Sequence, residues 1–122
     1  MNDSILQNSC VAEAIRTTCE TVVPDVFPQL YTGPLLRYIV YNYNIIPVVW
    51  AESGPAASRY LVQVHFYLPH KEDPREAILA LQRALFDADF TWPSVTDAED
   101  SDGQHWILEC EYTDGGGVYG FA

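Results

Sequence analysis

Basic residues are scarce in this sequence. Only 6 of its 122 residues are lysine or arginine, against 17 aspartates and glutamates, for a formal net charge of -11. A protein that holds nucleic acid carries a basic footprint, because phosphates must be neutralised. Here Arg16, Arg37, Arg59, Lys71, Arg75 and Arg83 are spread along the chain, so neither specific nucleic-acid binding nor attraction to an anionic membrane surface is expected. Long apolar runs are missing too: nothing approaches the roughly 20 residues that span a bilayer. Met1-Asn2-Asp3-Ser4 shows no basic or apolar signal segment, so the expectation is synthesis in the cytoplasm. Cysteine is sparse and odd in number, at Cys10, Cys19 and Cys110, which reads as reduced, mostly buried thiols.

What is present is a globular mixture, with 48% hydrophobic and 19% charged residues, in a length that fits one domain. Asp3 or Ser4 can cap a first helix whose apolar positions are Ile5, Val11, Ile15, Cys19 and Val22, and Pro24 ends it. Residues 25–34 hold Pro28, Gly33 and Pro34 and read as a connector. Strands are expected over 35–43, with Leu36, Tyr38 and Val40 on one face and Ile39, Tyr41 and Tyr43 on the other, and over 46–51, where Pro47 suggests an edge. The strongest strand signal is 57–68: Tyr60, Val62, Val64, Phe66 and Leu68 share an apolar face, while Arg59, Leu61, Gln63, His65 and Tyr67 share a mixed one. Asp73-Pro74-Arg75-Glu76 combines a capping residue, a first-turn proline and a glutamate three residues after the cap. It opens a helix to about Ala88 with the stripe Ile78, Leu81, Leu85 and Ala88. A strand interrupted by Pro93 is expected over 90–95, and an acidic loop over 97–103. A last strand over 104–112 puts Trp106, Leu108, Cys110 and Tyr112 on one face. The elements segregate in the order α-β-β-β-α-β-β, which predicts an α+β fold with a mixed or antiparallel sheet packed by two helices. Residues 1–114 form the single domain, and 115–122 a flexible glycine-rich tail.

Chemistry-bearing patterns are weak. Cys10 and Cys19 stand nine residues apart, roughly 180° around a helix, and cannot face one ion. His105 and Cys110 point to opposite faces of one strand. Asp100, Asp102, Gly103 and Glu109 match four positions of a calcium loop, but its first ligand position would be Ala98, and the downstream flank is a strand. No Gly-x-Ser-x-Gly elbow or phosphate loop is present, and His65, His70 and His105 are each alone in sequence. No enzyme, metal or cofactor is therefore expected. Two features stand out instead. The strands carry apolar residues on both faces, so that Ile39, Tyr41, Tyr43, Leu61 and Tyr67 exceed what one helical layer covers. Val118, Tyr119 and Phe121 follow the glycines and suit docking on a neighbour by strand addition.

The order of motifs resembles the small tail-completion or tail-terminator proteins of long-tailed bacteriophages and prophages. The resemblance runs from about Tyr31 to Tyr112, through Tyr38-Ile39-Val40-Tyr41-Asn42, Trp50-Ala51-Glu52-Ser53-Gly54-Pro55, Val62-Gln63-Val64-His65-Phe66-Tyr67, the 74–88 helix with Phe90, and His105-Trp106-Ile107-Leu108-Glu109-Cys110-Glu111-Tyr112. Glu52 stands where that pattern often has an acidic residue after the second strand. The resemblance implies a structural virion protein that closes into a hexameric ring and joins the tail tube to the head-completion or connector proteins of the neck. It would be made in the bacterial cytoplasm and carried in the virion. Tyr41, Leu61, Tyr67, Val118, Tyr119 and Phe121 would then lie at subunit contacts. Asp97, Glu99, Asp100 and Asp102 would face the lumen, where an acidic wall does not hold passing DNA. A head–tail connector or stopper is the near alternative. Rivals of other classes are an enzyme or small-ligand-binding domain with a site built on His65 and Tyr67 on one sheet face, and a host-derived regulatory binding module.

Overall fold

The strong alternation over 57–68 becomes the central strand of a five-stranded sheet. The computed structural model describes residues 3–51 and 54–114, with side chains over 10–46 and 59–113. The elements are α1 (Asp3–Glu20), β1 (Val26–Pro28), β2 (Tyr38–Ala51), β3 (Gly54–Leu68), α2 (Arg75–Asp87), β4 (Ser94–Asp97) and β5 (Gln104–Asp114). The sheet order is β1-β2-β3-β5-β4, with β1 parallel to β2 and every other neighbour antiparallel. The fold is α+β, and the element order is the expected one.

The three strands before α2 are divided differently from the expectation. The connector holds β1, and the two strands expected over 35–51 are one, β2, with a register irregularity around Pro47 and Val49. Beyond Tyr41, β2 has no outer neighbour among the described strands, so Pro47 costs no ladder bond there. Leu35 and Leu36 lie outside the strand and are exposed. Phe90 makes only an isolated bridge to Tyr112, and β4 begins after Pro93, at Ser94.

Both helices cover one face of the sheet. Val11, Ile15 and Cys19 from α1, Val23 after it, and Leu81 and Leu85 from α2 form one buried cluster with Ile39, Tyr41, Tyr60, Val62, Val64, Phe66, Leu68, Leu108 and Cys110. Ile39 and Tyr41 are thus core residues, which corrects the expectation that they lie at the surface. In a strand apolar on both sides, the pattern does not say which side is inward; the pairings of Ile39 with Phe66 and Tyr41 with Val64 decide it.

Helix α2 is fixed at both ends. Its cap position is Pro74 rather than Asp73; the Asp73 carboxylate instead accepts the Arg75 backbone N–H at 3.1 Å. At the other end Asp89 takes a left-handed φ of 73°. The Phe90 N–H then bonds the Leu85 carbonyl at 3.0 Å and the Asp89 N–H the Phe86 carbonyl at 3.2 Å, a Schellman closure. Beyond it, Gln104 Nε2 donates to the carbonyls of Pro69, His70 and Glu72, which ties the turn after β3 to the start of β5.

Candidate functional site on the uncovered sheet face

Residues of the opposite parity form the other face, which no described helix covers. The registers lay it out in rows: Tyr38, Tyr67 and His105; Val40, His65, Ile107 and Thr96; Asn42, Gln63, Glu109 and Ser94; Asn44, Leu61 and Glu111. Leu61 and Tyr67 are half-buried here, back to back with the core that holds Tyr41. Val40 is 7% exposed and lies outside the helix-side core; in its row it stands between Phe27 and His65.

A string of rings crosses this face. Phe27 stacks on Tyr31 at 4.2 Å between centroids, Tyr31 meets Tyr38 at 4.7 Å, and Tyr38 stacks on Tyr67 at 4.7 Å. Tyr67 stacks on His105 at 4.3 Å, and His105 lies 5.1 Å from His65. Burial first, then neighbouring ring and carboxylate charge, raises the phenols of Tyr38 and Tyr67 above their ordinary range.

The two histidines, isolated in sequence, meet across strands: His65 Nδ1 and His105 Nε2 are 2.8 Å apart. The direction of this bond follows from its neighbours. Gln63 Nε2 donates to Glu109 Oε2 at 3.0 Å, and a carboxylate only accepts, so the Gln63 amide is oriented. Its Oε1 faces His65 Nε2 at 3.2 Å and requires a proton there. His65 Nδ1 must then accept from His105 Nε2–H. In this tautomer the amide nitrogen of Asn42, 3.4 Å from His65 Nε2, makes no bond. The result is a one-way chain from His105 through His65 and Gln63 to the Glu109 carboxylate. A first added proton fits on His105 Nδ1 and keeps the chain; a second, on His65 Nδ1, breaks it. Burial lowers both imidazoles, the neighbouring His105 lowers His65 further, and Glu109 and Asp100 oppose the shifts at His65 and His105 respectively.

A search of protein-family models finds no match to this chain, and a search of curated proteins finds no relative.

None of the three cysteine thiols lies on the face that carries the histidine chain. Cys110 and Cys19 are under the helices, where burial pushes each thiol up to about 12, and Cys10 lies on α1. Among the described residues no group of three or more histidine, cysteine, aspartate or glutamate side chains is placed to hold a metal ion, and no helix is long and apolar enough to cross a membrane. Beside the histidines the third and fourth rows form a shallow trough of about 480 Å³ with a mixed lining, in which Asn42, Gln63 and Glu109 stand beside Leu61, Val62 and Trp92.

The acidic residues sit at the end of the sheet near Tyr38 and Tyr67. Asp97 closes β4 and accepts the Glu99 N–H; Asp100 accepts the Asp102 N–H, each at 3.0 Å. Asp100 and Asp102 line a groove of about 250 Å³ with Leu35, Leu36, Tyr38 and Tyr67. Val118, Tyr119 and Phe121 lie outside the described residues. Sequence reasoning missed the histidine pair and this groove, because both depend on register between segments more than 30 residues apart.

Proposed function

We propose that this chain is a structural assembly protein of a phage or prophage virion, a tail-terminator or completion ring that joins the tail tube to the neck. The single observation that carries the assembly reading is the uncovered sheet face. It presents Phe27, Tyr31, Tyr38, Tyr67, Leu61 and Ile107 half-buried in one surface, a run of aromatic and apolar side chains on a single face of the kind that marks an interaction surface. Repeated copies supply cover for such a surface, and contacts that repeat around an axis close into a ring. The motif order supports the phage assignment within this class, and a head–tail connector or stopper uses the same surface logic.

One observation favours a second reading, a small-ligand site: the trough of mixed lining beside the oriented histidine chain. Sedimentation of the purified chain over a concentration series, alone and with tail-tube protein, separates the two. The ring reading expects closed oligomers visible by electron microscopy. A monomer at every concentration, with or without tube protein, overturns it.

A further inference from the structure

We infer that copies of this chain meet head to tail, with the outer face of α2 on one copy seated in the groove between Leu35, Leu36 and the acidic loop on the next. The inference rests on the ring reading and names its two surfaces.

The first surface is a helix face. Leu79, Arg83 and Phe86 follow at spacings of four and three along α2, so they share one side of it. Leu79 is 47% and Phe86 54% exposed, and Trp92, 46% exposed, packs edge-on against Phe86 at 5.8 Å. Arg83 stands among these apolar groups, itself exposed. Arg16, Arg37, Arg59 and Arg75 each have a carboxylate within ion-pair distance. Arg83 and Lys71 have none among the described residues. Lys71 lies in the turn at the end of β3, beside the groove, so Arg83 is the unpaired cation carried by the helical layer.

The second surface is the reverse in charge and alike in grease. Leu35 and Leu36 are 38% and 71% exposed and border the groove. Tyr38, Tyr67, Asp100 and Asp102 line the same groove. Neither carboxylate makes an ion pair among the described residues. A guanidinium entering there lies over two phenol rings and meets two carboxylates, while Leu79 and Phe86 cover Leu35 and Leu36. The two surfaces belong to different parts of the molecule, one on the helical layer and one at the end of the uncovered face. Contact between them is heterologous and propagates until it closes. Charge complementarity selects a second copy as the occupant: in a chain of net charge -11, this is an apolar patch centred on an unpaired cation facing a groove that sets exposed leucines and tyrosine rings beside unpaired anions.

The test is a charge exchange read by sedimentation and electron microscopy of the full chain. R83D and D102R alter exposed side chains, so melting curves should stay near the parent's. Each alone should weaken assembly by about tenfold or more, as expected for a central arginine contact. An equimolar mixture of the two variants should recover assembly. Alternating copies then pair the introduced carboxylate with the introduced guanidinium at one contact, and the native Arg83 with the native Asp102 at the next. The double variant should recover it too. Wild-type rings with unaffected single variants, or weakened variants that do not recover on mixing, overturn this contact and leave the ring standing. A wild-type chain that never assembles overturns both.

Discussion

The two faces of the β-sheet are built from alternate residues of the same strands and obey different rules. Under the helices, Tyr60, Val62, Val64, Phe66 and Leu68 are at most 1% exposed, and Tyr41 and Cys110 join them. On the other side, Leu61, Gln63, His65 and Tyr67 are all half-buried, and rings, amides and ionisable groups share the face, in different proportions from row to row. The covered face trades specificity of contact for apolar area, which is the main source of stability. The uncovered face keeps His105, His65, Gln63 and Glu109 in a directed hydrogen-bond chain and its rings in stacks, so it holds a definite shape without a layer over it. A surface already organised before a partner arrives loses less entropy on binding.

Adjacent residues of β3 break the comparison most sharply. Phe66→Ala empties a site in the covered core and should cost about 3–5 kcal/mol. Tyr67→Ala, one residue along and on the other face, loses stacks with Tyr38 and His105 and should cost only about 1 kcal/mol. It should nonetheless reduce self-association, where Phe66→Ala acts only through unfolding. Urea denaturation of both variants, with sedimentation of each under folding conditions, checks the contrast. Equal stability losses would mean that the uncovered face is a second core.

The thiols report on the same division. Cys19 and Cys110 lie in the covered core, with their ionisation held up near 12 by burial, and the thiolate is the reactive form. A thiol reagent should therefore modify Cys10 in the folded chain and reach the other two only on unfolding. Mass spectrometry of the modified sites, before and after urea, gives the answer.

The covering layer can also be strengthened at its seam. Asp89 holds a left-handed φ of 73° at the end of α2, where glycine is free of the Cβ penalty. Asp89→Gly should raise stability by about 0.5 kcal/mol, the relief at φ > 0 being offset by the greater entropy of glycine in the unfolded chain. Thermal melting should show a small upward shift with no change in assembly.

Much of the covered face was legible in the sequence, because alternation in 57–68 and the helical stripe Ile78, Leu81, Leu85 are periodic signals read within one element. The misses share a cause. Val26-Phe27-Pro28 is too short to carry a period, and its parallel partner lies beyond Gly33 and Pro34. The sequence predicts separate strands over 35–43 and 46–51, with Pro47 suggesting an edge, yet the edge segment of β2 tolerates the proline without interrupting the strand. Tyr41 was placed on the wrong side because β2 is apolar on both faces, and only its pairing with Val64 fixes the inward parity. The meeting of His65 with His105 requires the register of β3 on β5 across 40 residues, which no local pattern contains.

That histidine pair supplies the smallest expected effect and the most direct probe of the uncovered face. Both imidazoles titrate below 6.5 in the folded chain, burial being the leading cause, whereas in the unfolded chain they return to the ordinary value. Between the folded and ordinary values the unfolded chain binds more protons, so stability rises with pH there. The stabilisation is complete above 6.5, falls as acid is added through the folded range, and levels off beneath it. Glu109 near His65 and Asp100 near His105 reduce the fall, and solvent reaches both rings, so the change is modest. Asp73 does not interfere, because its carboxyl, held to about 2 by the Arg75 guanidinium and N–H, titrates below 3.8. His105→Gln retains a donor toward His65 Nδ1 but cannot be protonated. Urea midpoints measured between about pH 5 and pH 8 should slope less in this variant than in the parent. A parallel slope would show that the pair does not titrate as a unit, and that the chain from His105 to Glu109 does not organise this face.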